Sequence, residues 1–268
     1  MPLAGFPVER AALPQRRSPA HRGFRVTNRD TQIVRWVGRL RMATAQQIAE
    51  RFGLGRTVTY ARLGVLVRLG LLEHARIFHG APGVYLATRA GLAAVDLALP
   101  PARVDLRTCA HDLELSSLAV DLEREFGREQ VSTEREMRAA DTPAGSPPAM
   151  RPRFAVALAG ARGQLQLTPA GHPRLHFPDC VIASGGETQN TVLAVELERT
   201  PKGRARLRRI LAGYVGARHI GAVRYYALGE RVRDLVETEV AAHRAQALIE
   251  VRDWPTPPHS RAWQDAAA

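Results

Sequence analysis

The stretch VELERTPKGRARLRRI, residues 195–210, decides the fold expected for the second half of the chain. It opens with an apolar run in which Glu196 and Glu198 stand two positions apart. Side chains at this spacing share one face of a strand, so both carboxylates point one way while Val195 and Leu197 point the other way, toward the core. The run therefore predicts a strand that carries paired acids.

The rest of the stretch predicts a basic helix. Thr200 followed by Pro201 is a favourable helix start, with threonine as the cap and proline at the first helical position. Lys202 is the only lysine of a chain that otherwise uses arginine. It would stand in the first turn of this helix, which is expected to run to about residue 217.

The segments around this stretch predict alternating helices and strands. Leucines at helical spacing and a closing glycine predict a helix over residues 108–127. The expected strands, in chain order, are QVSTEREMRA (130–139), RLHFPDCVIAS (174–184), NTVLAVELER (190–199), AVRYYALG (222–229) and ALIEVRDW (247–254). A further helix is expected over residues 231–246, between the last two strands.

This α-β-β-β-α-β order resembles the restriction-endonuclease-like fold of the PD-(D/E)xK nuclease superfamily. Pro178 and Asp179 on the second core strand, and Glu196 on the third, match its acidic positions. The chain departs from the superfamily at Glu198, where a lysine is usual. If the centre is active, the resemblance implies Asp179, Glu196 and Lys202 as catalytic residues, with Lys202 reaching back from the following helix.

The acids have a metal-binding interpretation. Asp179, Glu196 and Glu198 would form a carboxylate cluster for Mg²⁺, a hard cation that prefers oxygen ligands and can activate water. Glu114 of the preceding helix is a further candidate for the cluster. In the alternative, the three acids are solvated strand residues that pair with nearby arginines: Arg199, Arg204 or Arg206.

The first hundred residues predict three helices followed by a β-hairpin. Residues 29–41, 44–53 and 56–70 have helical periodicity, whereas residues 71–80 and 83–91 are strand-like and flank the turn GAPG. The apolar positions expected to face inward are Ile33, Trp36, Val37 and Leu40 in the first helix, Ile48, Ala49 and Phe52 in the second, and Val58, Leu63, Leu66, Val67 and Leu69 in the third.

This order is typical of a winged helix-turn-helix, in which the hairpin is the wing. The second strand and the helix after it resemble the wing of bacterial winged-helix proteins at Tyr85, Leu86, Thr88 and Gly91. The fold class expected for the whole chain is therefore α+β in two domains, a winged helix-turn-helix followed by a restriction-endonuclease-like core.

The charge of residues 1–100 indicates what this part of the chain binds. Residues 1–100 hold 15 arginines against 5 acids, a balance of +10 out of +12 for the chain. Such a field is the footprint of phosphate binding, and the third helix of a winged helix enters the major groove. The candidate DNA-binding residues are Arg56, Thr57, Thr59, Tyr60 and Arg62 on that helix, Arg76 and His79 on the hairpin, and Arg204 and Arg208 on the basic helix. The alternative is a protein-docking module with solvated arginines.

The expected boundaries follow from composition. They are a mobile basic tail (1–27), the winged helix (28–96), a linker around Pro100-Pro101 (97–107), the nuclease-like domain (108–254) with a flexible insertion near 140–152, and a disordered tail (255–268). Cys109 and Cys180 lie in no zinc-type spacing, and no apolar run is long enough for a membrane helix. A cytoplasmic protein with no membrane contact is expected.

The combination resembles the replication-relaxation family of plasmid and mobile-element proteins. The residues that carry this resemblance are His111, Pro178, Asp179, Glu196, Glu198 and Arg199. It implies a DNA-binding accessory protein for replication, DNA relaxation or mobilisation, with a degenerate nuclease-like domain and no certain cofactor. The alternatives are an active Mg²⁺-dependent endonuclease and a winged-helix transcriptional regulator. Expected partners are double-stranded DNA, with a relaxase or replication protein and a second copy of the chain as further candidates.

Overall fold

The computed structural model describes residues 25–141, 152–160, 163–183 and 191–255. Helices and strands both contribute, so the fold is mixed α+β. The first part contains α1 (Asn28–Arg39), β1 (Ala43–Thr44), α2 (Ala45–Phe52), α3 (Arg56–Arg68), β2 (Leu72–Ala75), β3 (Val84–Ala87) and α4 (Arg89–Ala94).

The core of the first part confirms the expected inward face of α1. Ile33, Trp36 and Val37 are fully buried and pack with residues of α2 and α3. In α3 the expectation for Val58 is wrong, because its side chain is 50% exposed. Thr59 is buried in its place, and its hydroxyl donates to the carbonyl of Gly55. The side chain of Val58 therefore faces solvent and not the core.

The hairpin predicted over residues 71–91 is present. Strand β3 pairs antiparallel with β2, and also with the short strand β1, which the sequence pattern did not indicate. Thr88 caps α4 by accepting a hydrogen bond from the backbone N–H of Gly91. One apolar cluster contains residues of these helices and of the small sheet, together with Ala119 and Val120.

The second part of the chain forms a larger sheet with helices on both faces. Its elements are α5 (Cys109–Phe126), β4 (Val131–Thr133), α6 (Glu134–Asp141), β5 (Val156–Ala157), β6 (Leu175–His176), β7 (Cys180–Ala183), β8 (Val192–Glu198), α7 (Arg204–Gly216), β9 (Ile220–Ala227), α8 (Glu230–Ala242) and β10 (Ile249–Asp253). Among the described residues the strand order is β10-β9-β8-β7-β4. Strands β8, β9 and β10 are parallel, whereas β7 is antiparallel to both β4 and β8.

The two faces of this sheet carry different helices. Helices α7 and α8 pack against one face, with Ala194 and Tyr225 among the buried strand residues. Helix α5 covers the other face, where Val195 and Leu197 point. Both faces are buried, so β8 is apolar on each side except at its two glutamates.

Three local predictions are wrong. Residues 130–139 do not form one strand, because β4 ends at Thr133 and α6 follows directly. The strand expected over 174–184 is interrupted, and Asp179 lies just before β7. Helix α7 does not start at Thr200–Pro201 but at Arg204, with Gly203 at the cap, so Lys202 belongs to the loop between β8 and α7.

The two parts of the chain are joined by buried polar contacts. The Gln47 amide of α2 donates to the Leu113 carbonyl of α5 at 2.7 Å and to the Ser117 hydroxyl at 2.8 Å. Arg39 of α1, only 7% exposed, pairs with Glu123 and Glu136. Residues 97–107 between the two parts carry no helix or strand. Residues 97–107 therefore link two parts of the chain that pack against each other.

Some predictions fall on parts of the chain that the structure does not describe. These are most of the basic tail (1–24), most of the insertion (142–151) and nearly all of the C-terminal tail (256–268). Within the described residues, no helix has the length and apolar character required to cross a membrane.

Two glycines give a paired test of packing. A Cβ at Gly91 would lie 2.0 Å from the backbone oxygen of Leu71, whereas a Cβ at Gly64 would meet only the flexible end of Arg68 at 3.5 Å. We expect Gly91→Ala to lower the free energy of unfolding by about 1–3 kcal/mol through overpacking. Gly64→Ala should raise it by about 0.5–1 kcal/mol through helix propensity. Denaturant unfolding of both variants checks this, and equal effects would contradict the described contact between α4 and the hairpin.

Candidate functional site

A polar cavity of about 580 Å³ opens at one end of the large sheet. It lies beside the first turn of α5, the residues that precede β7, the end of β8 and the loop that leads to α7. The predicted residues Asp179, Glu196, Glu198 and Lys202 all line it. The structure therefore brings together the four positions that the sequence pattern singled out.

Strand pairing places the acids. Cys180 of β7 is opposite Val195 of β8, so Asp179 stands next to Glu196 at the ends of the two strands. The Asp179 backbone N–H donates to the Val195 carbonyl at 3.0 Å, and the backbone N–H of Leu197 donates to the Asp179 carboxylate at 2.7 Å. The antiparallel register thus holds this carboxylate against β8.

The two glutamates are buried. Glu196 is 1% exposed and Glu198 is 5% exposed, because helices cover both faces of the sheet. The alternative in which these two are solvated and paired with arginines of the following helix is therefore wrong. A buried carboxylate needs a hydrogen-bond donor or a positive charge beside it.

Each carboxylate has such a partner. His111 Nε2 of α5 lies 3.2 Å from Asp179 Oδ1, and His176 Nε2 of β6 lies 2.6 Å from Glu196 Oε1. The Lys202 ammonium lies 2.5 Å from Glu198 Oε2. The centre is thus a set of three adjoining acid–base pairs.

A tyrosine completes the surroundings of Glu196. The Tyr214 hydroxyl of α7 donates to the same Oε1 that faces His176. Tyr214 is fully buried, and the burial together with the nearby Glu196 raises its pKa well above the usual range. The phenol therefore stays protonated and acts as a hydrogen-bond donor.

The protonation states follow from burial and from these neighbours. Burial alone lowers the pKa of His111, but Asp179 outweighs it and raises that pKa to about 9. Burial also disfavours the charged form of Lys202, yet Glu196 and Glu198 hold its pKa above the ordinary value. Both side chains are cations at neutral pH, so Lys202 is not placed to act as a general base.

The carboxyls themselves are affected in opposite directions. Burial raises the pKa of Glu196, but His176, Lys202 and Tyr214 together bring it below the ordinary value. Burial raises the pKa of Glu198, and the pairing with Lys202 offsets only part of that increase. Glu196 is thus the firmly ionised member of the pair.

Sequence reasoning missed much of this arrangement. His176 stands 20 residues before Glu196, and no local pattern connects the two. Tyr214 stands 18 residues beyond Glu196, and no local pattern connects the two. Glu114, expected to join the acids, instead accepts a hydrogen bond from the Trp254 indole at 3.1 Å. Asp112 lines the cavity from the same helix.

The donor set does not fit the expected magnesium site. In the described part of the chain, no three His, Cys, Asp or Glu side chains are placed together so that they could hold a metal ion. Both oxygens of Asp179 are engaged, and Glu196 and Glu198 each face a donor of the chain itself. Lys202 occupies a place beside Glu198 where a divalent cation would meet repulsion.

The predicted DNA-binding residues of α3 divide into two groups. Arg56, Thr57 and Tyr60 are exposed on its first turns. Thr59 is buried, and Arg62 pairs with the buried Asp30 of α1, with Nε 3.0 Å from Oδ1. The expectation that Thr59 is an exposed polar position is therefore wrong, and Arg62 is held by the interior of the protein.

The other predicted DNA-binding residues differ in whether an acid of the protein pairs with them. Arg76 and His79 are exposed on the loop between β2 and β3. Arg208 and Arg204 of α7 converge on the buried Glu239 of α8, at 2.7 Å and 3.9 Å. The charges of α7 are thus partly used inside the protein, whereas those of the hairpin are not paired with any acid in the described residues.

Comparison with known proteins leaves the relationship of this chain open. No family model matches it, and no curated protein matches it. Among solved structures, a chain described as PigF with SAH is similar at 13% identity and a TM-score of 0.19, covering 85% of this chain. The match spans 62% of the PigF chain, and at this TM-score the likeness carries no structural argument.

The His111 pair predicts how stability depends on pH. Its pKa of about 9 in the folded protein lies above the ordinary value of 6.5, so its stabilisation is fully present below pH 6.5. That stabilisation is lost as the pH rises through 9, and we expect a decrease of about 1–3 kcal/mol in the free energy of unfolding.

Denaturant unfolding at a series of pH values measures this effect. His111→Asn should flatten the decrease, whereas His79→Asn, on the exposed hairpin loop, should leave it in place. An unchanged pH profile in His111→Asn would show that the pair with Asp179 does not stabilise the fold.

Proposed function

We propose that this protein is a DNA-binding accessory protein of a plasmid or mobile element, acting in replication, DNA relaxation or mobilisation. It binds double-stranded DNA through a winged helix formed by α1–α3 and the β2–β3 hairpin. The second part is a degenerate nuclease-like domain that contacts DNA or protein partners without cutting. The observation that carries the proposal is the exposed pair of cations Arg56 of α3 and Arg76 of the hairpin, neither of which meets an acid among the described residues.

This surface has the composition of a phosphate-binding site. Arg56 and Arg76 have no acidic partner among the described residues, and Thr57, Tyr60 and His79 are exposed beside them. The first hundred residues carry a balance of +10, so a polyanion is attracted to this part of the chain. An arginine that is not used within the fold is free to pair with phosphate or with guanine.

The element order supports the winged-helix interpretation. Helix α2 and helix α3 are separated by residues 53–55, and the hairpin follows α3 after a short connection. Strand β1 pairs with β3, which ties the hairpin to the start of α2. In this type of module the N-terminal part of the third helix meets base edges, which is where Arg56 and Thr57 lie.

The larger sheet supports the nuclease-like interpretation of the second part. Its order of α5, β4, β7, β8, α7 and β9 follows the expected α-β-β-β-α-β pattern, apart from the inserted α6, β5 and β6. The resemblance to the replication-relaxation family rested on residues that are distant in sequence. Five of the six, His111, Asp179, Glu196, Glu198 and Arg199, line the same cavity.

The acid–base pairs favour binding over cleavage. A metal-dependent nuclease needs carboxylate oxygens that are open to the cation and to water. Here the acids face His111, His176 and Lys202, and Lys202 stays protonated. The active endonuclease remains the second candidate, because Asp179, Glu196 and Lys202 do line one cavity.

Salt dependence tests the DNA-binding surface. Arg56→Ala and Arg76→Ala should each weaken duplex binding. Each should also reduce the slope of log binding constant against log salt concentration by about 0.9, the value for one lost phosphate contact. Arg231→Ala is the matched control, because Arg231 is exposed on α8 and lines neither cavity beside α3 and the hairpin. Fluorescence anisotropy titrations over a salt series measure all three. Slopes identical to the parent in both Arg56→Ala and Arg76→Ala would contradict the assignment of this surface.

Plasmid nicking distinguishes the two candidate functions. We expect supercoiled plasmid to stay intact with Mg²⁺ or Mn²⁺ under conditions where a gel shift shows binding. Metal-dependent nicking that disappears in both Asp179→Ala and Lys202→Ala, and in chelator, would establish the endonuclease instead. Arg231→Ala serves as a variant outside both the cavity and the DNA-binding surface, and its nicking should match that of the parent in either case.

A further inference from the structure

A groove with aromatic walls runs between α3 and the β2–β3 hairpin. A cavity of about 540 Å³ lies between Tyr60 and the loop of residues 76–83, and His74 also lines it. A second cavity of about 340 Å³ adjoins it and is lined by Arg56. Tyr60 and Pro82 line both cavities, so they form the ridge between them.

The His74 ring of this groove packs closely against its neighbours. The His74 ring stacks on Tyr85, with centroids 4.7 Å apart and planes inclined by 29°. A Cβ at Gly83 would come within 2.0 Å of His74 Nε2, so the ring can occupy this place because residue 83 has no side chain. Tyr60 is 50% exposed even though it borders these rings.

Two arginines and a histidine lie beside the aromatic rings. The Arg56 guanidinium is 5.9 Å from the centre of the Tyr60 ring, and Arg76 and His79 line the wider cavity. Aromatic faces bordered by cations are the surroundings that single-stranded nucleic acids find in proteins, because bases stack on the rings while phosphates meet the charges. The bases of an intact duplex are stacked on one another and cannot reach such rings.

We propose that this groove binds unpaired nucleotides of single-stranded DNA, with a base stacked on Tyr60 and its phosphates near Arg56 and Arg76. The inference rests on the proposed function, because it takes DNA as the partner of α3. It adds that the protein prefers a duplex flanked by an unpaired segment over a fully paired one. The volume of the wider cavity is within the range of sites that enclose small organic groups.

Anisotropy titrations of the full chain test the preference. The probes are a labelled duplex and the same duplex with a short unpaired thymidine overhang. We expect the overhang to tighten binding about tenfold, since stacking of a base on an aromatic side chain has an effect of this size. Tyr60→Ala should bind the two probes with equal affinity. Tyr60→Phe should keep the preference of the parent for the probe with the overhang. Val58→Ala is the matched control, because Val58 is equally exposed on α3 but lines neither cavity.

The ratio of the affinities for the two probes distinguishes binding in the groove from binding of the duplex. Equal affinity of the parent for both probes, or equal ratios in Tyr60→Ala and Tyr60→Phe, would overturn the groove while leaving duplex binding in place. Absence of binding to either probe would overturn both. A fluorescent 2-aminopurine in the overhang gives an independent signal, because its emission should be quenched by the parent and by Tyr60→Phe but not by Tyr60→Ala.

Discussion

The burial of Glu196 and Glu198 in β8, with the partly buried Asp179 beside them, is the constraint on which the second part of the structure depends. An ionised carboxylate without a partner costs several kcal/mol when it is removed from water. His111, His176 and Lys202 supply the partners, and each comes from a different element. These carboxylates can therefore be buried only when three elements are in place: the first turn of α5, strand β6 and the loop before α7.

This requirement accounts for the conformation after β8. If a helix began at Thr200, Lys202 would lie within its first turn. In the structure residues 200–203 remain extended enough for Lys202 to reach Glu198, and α7 begins only at Arg204. The ion pair and the late helix start are two aspects of the same local arrangement. Capping rules alone cannot anticipate it, because they do not include the charge of a residue four positions earlier.

The sequence predicted elements better than it predicted contacts. Periodicity identified α1, the hairpin and β8, since a buried face leaves a regular pattern of apolar residues. It failed at Val58 and Thr59, because the apolar side chain is exposed there and the polar one is buried. It failed again over residues 130–139, where one alternating segment contains both a short strand and a helix. The partners of Glu196 were not predictable, because Tyr214 and His176 meet it only through the packing of α7 and β6.

The distribution of paired and unpaired arginines separates structure from binding. Arg39 and Arg62 point inward to acids, and Arg208 is held by Glu239. Arg56 and Arg76 lie on the α3 and hairpin surface with no acid beside them in the described residues. Since an arginine paired with a buried acid leaves no net charge, the balance of +12 comes from arginines outside such pairs. Arg56 and Arg76 are two of these arginines, and they lie where the aromatic groove opens.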